Sequence, residues 1–81
     1  MQSRRPVLPY LSLWRAWKGY SQRELARQAH VARATITHLE TAHGRANYVT
    51  VAKLAQALGL TREQLLHETP QAPRIAREAE L

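Results

Sequence analysis

The chain has 81 residues, with 12 Lys and Arg against six Glu, no Asp, no cysteine and a net charge of +6. A chain this short buries only about 60% of its unfolded surface on folding, which leaves little room for an enclosed catalytic pocket, and without cysteine it has neither disulfides nor thiolate metal sites. Its longest stretch free of charge, Pro6 to Trp14, is nine residues, short of the ~18 a membrane helix needs, so the composition points to a binding module rather than an enzyme or a membrane span.

In chain order, residues 1–8 read as a flexible basic segment. Ser3-Arg4-Arg5-Pro6-Val7-Leu8 has the look of a twin-arginine export signal. The apolar stretch behind it is short, holds Pro6 and Pro9, and lacks a small-residue cleavage site, so export is set aside. Leu11, Trp14 and Trp17 then space out one face of a first helix, roughly 9–18, with Pro9 at its start. Ser21 with Glu24 is a capping box, in which the Ser oxygen takes the N3 amide and the Glu reaches back, and Tyr20 and Leu25 stand at the staple positions. Leu25, Ala26 and Ala29 mark the buried face of a second helix, roughly 22–29. Ile36 and Leu39 mark that of a third, roughly 32–41.

Asn47 is the expected N-cap of a fourth helix, roughly 48–58, which buries Val51, Leu54, Ala55 and Leu58. Thr61 with Gln64 repeats the capping box, stapled by Leu60 and Leu65, and opens a short fifth helix, roughly 62–67. Gly19, Gly44 and Gly59 each follow a periodic segment, where a left-handed residue closes a helix. Residues 69–81 form a polar tail in which Arg74 to Leu81 could make a turn or two of helix with Ile75 and Ala79 on one face. No segment alternates like a strand, so the fold is all-α, with residues 9–68 forming a single five-helix domain.

Only Ala29-His30-Val31 separates the second and third helices, and a turn that short makes them cross steeply as a helix-turn-helix. The third helix buries Ile36 and Leu39, and turns Arg33, Ala34, Thr37 and His38 outward at i, i+3, i+4 spacing, as one stripe. That stripe suits base edges: a bidentate donor for guanine, methyls for thymine, and no carboxylate to repel phosphate. The charge agrees. Arg4, Arg5, Arg15, Lys18, Arg23, Arg27, Arg33 and Arg45 against Glu24 and Glu40 put the whole excess of +6 within residues 1–47, and such a half attracts a polyanion.

Ser21 to Glu40, SQRELARQAHVARATITHLE, resembles the helix-turn-helix of the Cro/cI-like (Xre) repressors. The likeness runs from Leu11-x-x-Trp14-Arg15 through Lys53-Leu54-Ala55-Gln56-Ala57-Leu58-Gly59-Leu60 to Leu65-Leu66, with the register kept. It implies a compact lambda-repressor-like domain that reads double-stranded DNA. Arg33, Ala34, Thr37 and His38 correspond to the base-reading positions. Gln22 corresponds to the glutamine that holds a phosphate beside the recognition helix, Ala32 and Thr35 to groove-edge contacts, and Arg45, Asn47 and Tyr48 to the clamp on the next phosphates. Arg15 and Glu40 correspond to a buried ion pair joining the first and third helices. The sequence departs from the family at three places. His30 stands at a turn position usually given to glycine, Ala32 where a Ser or Thr cap is usual, and Trp14 replaces an aliphatic core residue.

The resemblance further implies a transcriptional regulator, a repressor by expectation, acting as a homodimer on a pseudo-palindromic operator in the cytoplasm, on the nucleoid. Two other readings stay open: an antitoxin-type protein that binds a protein partner and autoregulates its operon, and a non-specific or RNA-binding module. His30, His38 and His43 do not stack on one helix face and no Asp or Cys joins them, so no metal site is expected. No cofactor is implied, and an enzyme is disfavoured for want of a Gly-rich phosphate loop or paired carboxylates.

Overall fold

A computed structural model describes residues 5–41 and 44–70. Among these residues are five helices: α1 (Leu11–Lys18), α2 (Gln22–Ala29), α3 (Arg33–Thr41), α4 (Tyr48–Leu58) and α5 (Arg62–His67). Leu11, Leu25, Ile36, Val51, Leu54, Leu58 and Leu65 are fully buried, so every helix contributes at least one side chain to a common core. α2 packs against both α3 and α4, α1 rests across α3 and α4, and α5 closes over α4. This is the all-α arrangement of five short helices that the apolar spacing predicts, and it agrees with the fold that the resemblance implies. No helix among the described residues is long and apolar enough to cross a membrane.

Three helix starts carry side-chain caps. The Ser21 hydroxyl accepts from the Glu24 amide, the Asn47 carbonyl oxygen from Thr50, and the Thr61 hydroxyl from Gln64. Only Thr61 and Gln64 complete the reciprocal box. The expected return of Glu24 to Ser21 is not made, because its carboxylate turns along α2 to Arg27 at 2.6 Å and Gln28 at 3.0 Å. Those two hydrogen bonds, Gln28 first, hold the Glu24 carboxyl below its ordinary pKa.

α1, α2 and α4 end alike, with the residue past the helix in the left-handed region and its successor bonded five residues back: Tyr20 to Arg15, Val31 to Ala26, Leu60 to Ala55. Glycine supplies that conformation at Gly19 (φ 80°) and Gly59 (φ 73°), whereas α2 uses His30 (φ 59°). A side chain with a Cβ pays about 1–2 kcal/mol there. The short turn into α3 is thus made at some strain.

The structure departs from the sequence expectation in further places. Pro9 and Tyr10 form a turn, with the Leu11 amide bonded to the Leu8 carbonyl, so α1 starts at Leu11 rather than 9. α3 starts at Arg33, with Ala32 just ahead of it and its carbonyl accepting from Thr35 at 3.0 Å. Trp17 is 56% exposed rather than inward. Its ring meets the buried Trp14 edge-on at 5.5 Å, while the Trp14 indole N–H donates to the Glu68 carbonyl at 2.9 Å and ties α1 to the end of α5.

Finally, residues 5–8 are not a loose arm. Leu8 is buried in the core, Val7 pairs with Arg45, and the Pro6 carbonyl accepts from the Ala46 amide at 2.8 Å. Residues 1–4 and the expected turn of helix in 74–81 lie outside the described residues.

Candidate nucleic-acid interface

α3 is held from behind by Ile36 and Leu39, which sink into the core. With a helical period of 3.6, that burial leaves Arg33, Ala34, Thr37 and His38 on the opposite side, where together with Thr41 they line one open groove. Arg33, Ala34 and His38 are exposed and Thr37 is half-buried. The four residues singled out for base reading thus share one surface. The His38 ring lies against Gly44 so closely that a Cβ at position 44 would collide with it. Gly44, expected to close a helix in the left-handed region, does not adopt that conformation, which among the described glycines is confined to Gly19 and Gly59; its lack of a Cβ instead makes room for His38.

Cations flank α3 on both sides. On the α2 side, Arg15, Ser21, Gln22, Arg23 and Arg33 line a hollow. On the α4 side, Arg5, Ala34, Thr35, His38, Arg45, Asn47 and Thr50 share another. No carboxylate lines either one. Each hollow also abuts the start of a capped helix, where Ser21 and Asn47 satisfy one amide and leave the other first-turn amides free for an anion.

Of the residues expected at the phosphate backbone, Gln22, Thr35, Arg45 and Asn47 fall in these hollows. Ala32 is exposed at the start of α3 and lines neither of them. Tyr48 lies apart, beside Thr61 and, on α5, Arg62, Glu63 and Leu66. Sequence reasoning counted Arg5 and Arg23 among the cations of the basic half without giving either a place in the site, and passed over Thr50. Arg5 reaches the site because the Arg45 guanidinium donates to its carbonyl at 2.7 Å, a pairing across 40 positions that no local pattern signals.

Arg15 faces the α2 hollow but is already occupied. Its Nε donates to Glu40 Oε2 at 2.7 Å, its Nη2 to Glu40 Oε1 at 3.1 Å, and its Nη1 to the Tyr20 carbonyl at 2.9 Å. The Glu40 side chain is 5% exposed and that of Arg15 is 20% exposed. The hydrogen bond to Glu40 raises the Arg15 pKa against the opposing effect of burial. A forked pair of this kind orients two helices, here α1 and α3. Gln22 joins it, its Nε2 donating to Glu40 Oε1 at 2.9 Å and its Oε1 accepting from the Thr37 hydroxyl at 3.0 Å.

The sequence profile of the helix-turn-helix family matches residues 11–65. A curated relative from Neisseria meningitidis serogroup B (strain ATCC BAA-335 / MC58), described as a "Neisseria hypothetical transcription factor", is 39% identical over 66 residues, 80% of this chain. The chain spans 62% of that relative's length. The crystal structure of the hypothetical transcription factor NHTF from Neisseria superposes with a TM-score of 0.65 at 28% identity, covering 98% of this chain and 95% of that one.

Proposed function

The chain belongs to the helix-turn-helix family, with the Cro/cI-like (Xre) pattern, and on that premise we propose that it is a DNA-binding transcriptional regulator that lays α3 in the major groove of double-stranded DNA. The observation that carries this reading is the placement of Arg33, Ala34, Thr37 and His38 on one open stripe between two cationic hollows. Arg33 and His38 read base edges, and Ala34 and Thr37 offer methyls to thymine. Gln22 and the α2 start hold one phosphate, and Arg45, Asn47 and the α4 start hold another. The likeness in sequence and fold to proteins described as transcription factors supports the same reading.

The finer role is that of a repressor acting as a homodimer on the nucleoid. Its half-sites would lie one helical turn, about 34 Å, apart. The exposed side of α4 and α5 is the surface assigned to the dimer, with Tyr48 56% and Val49 63% exposed and both Arg62 and Glu63 nearby to pair across a two-fold axis.

Selection of duplexes from a randomised library at about 150 mM salt tests the whole proposal, because non-specific binding is weak there. Enrichment of a two-fold symmetric motif is the expected outcome. Enrichment of a single half-site would remove the dimer. No enrichment at all would overturn sequence-specific regulation.

A further inference from the structure

Gln22 is gripped at both ends of its amide, by two residues one turn apart on α3. A carboxylate can only accept, so the Gln22 nitrogen must face Glu40, which leaves its oxygen facing Thr37. The Thr37 hydroxyl has one proton, and that proton goes to Gln22. Glu40 is itself pinned by Arg15. The result is a directed series running from Thr37 to Gln22 to Glu40, with Arg15 closing it from α1. One N–H of the Gln22 amide remains uncommitted in the hollow lined by Ser21, Arg23 and Arg33.

We propose that Thr37 is a positioning residue: its hydroxyl and the Glu40 carboxylate set the Gln22 amide so that the remaining N–H meets a DNA phosphate. This rests on the reading of α3 as the DNA-facing helix. Thr37 then serves two ends of the interface at once. Its methyl belongs to the stripe along the groove, and its hydroxyl belongs to the backbone grip, so it does not hydrogen-bond a base.

The test is a double-mutant cycle on the full chain, with binding titrations against the selected duplex, its single-base variants and an unmatched duplex. Thr37→Val keeps a methyl and removes the donor, while Thr37→Ser keeps the donor and removes the methyl. Thr37→Val should weaken binding about three- to tenfold, the equivalent of one neutral hydrogen bond, on matched and unmatched duplexes alike. Thr37→Ser should keep the affinity for the unmatched duplex. Thr37→Val combined with Gln22→Ala should bind no more weakly than Gln22→Ala alone.

A loss confined to one base position, additivity in the pair, or Thr37→Ser as weak as Thr37→Val on the unmatched duplex would each overturn the proposal. A second readout needs no DNA. The side-chain amide resonances of Gln22 should shift in Thr37→Val and hold in Thr37→Ser, and unchanged resonances in Thr37→Val would overturn the positioning role on their own. If those resonances behave as expected but the unmodified chain shows no duplex preference, it is the reading of α3 that fails, and the phosphate grip falls with it.

Discussion

Replacing Glu40 with leucine removes the acceptor of three hydrogen bonds, two from Arg15 and one from Gln22. The Arg15 side chain, four-fifths covered, would keep only its bond to the Tyr20 carbonyl. Stranding one member of a buried pair costs about 3–5 kcal/mol, and the partial access of water to Arg15 puts the expected loss at the lower end, about 3 kcal/mol. A domain of this size is stable by only about 4–12 kcal/mol, so the loss is a large share of the whole. Replacing both partners, Arg15→Met with Glu40→Leu, removes the stranded charge and should cost less than about 1 kcal/mol. Urea unfolding followed by circular dichroism at neutral pH separates the two cases. With a slope of about 1 kcal/mol per molar, the single variant should move the midpoint by about 3 M and the double by under about 1 M. A single variant that moves by less than about 1 M would show that the pair is solvated. A double variant as weak as the single would show that the cost lies in packing rather than in the uncompensated charge.

Three further predictions follow from other parts of the molecule. Arg33→Ala should cost about 1–3 kcal/mol on the selected duplex and relax preference at one base, while Arg45→Ala should weaken all sequences alike and flatten the salt dependence; equal losses for both on unmatched DNA would make Arg33 a phosphate contact. His30→Gly should relieve the left-handed residue that ends α2 and raise stability by about 1 kcal/mol, or about 4–8 °C in melting temperature; a lower melting temperature would refute the strain. Trp14→Phe should cost about 1–2 kcal/mol, since it leaves the Glu68 carbonyl without its indole donor and opens a small void; an unchanged urea midpoint would show that α1 is not held to α5 by this bond.

The helices whose limits were readable from the sequence are those with side-chain caps. α2, α4 and α5 run over the residues expected of them, because Ser21, Asn47 and Thr61 each bond an amide three residues on. α1 and α3 start later than expected. Tyr10 makes no side-chain cap bond, and Ala32 has no polar group with which to make one. The α3 stripe was legible for a simple reason: burying Ile36 and Leu39 fixes which side is left over. The burial of Leu8 and Ala46 was not, since it arises from pairing residues 5–8 with the loop after α3, and such pairing has no period along the chain. The hold of Thr37 on Gln22 was hidden likewise, because it depends on the angle at which α2 and α3 cross.

The tie between residues 5–8 and the α3–α4 loop governs how the protein should be handled. An affinity tag joined upstream of Arg5 would hang within a few residues of the hollow shared by His38, Arg45 and Asn47. At the other end the helices close at Glu68, which lines none of the hollows beside α3 and whose carbonyl is fastened to Trp14. Binding constants are best taken with the carboxyl-terminal fusion. A drop in affinity on moving the tag to the other end would measure steric bulk at the groove, and cleaving the tag would restore it.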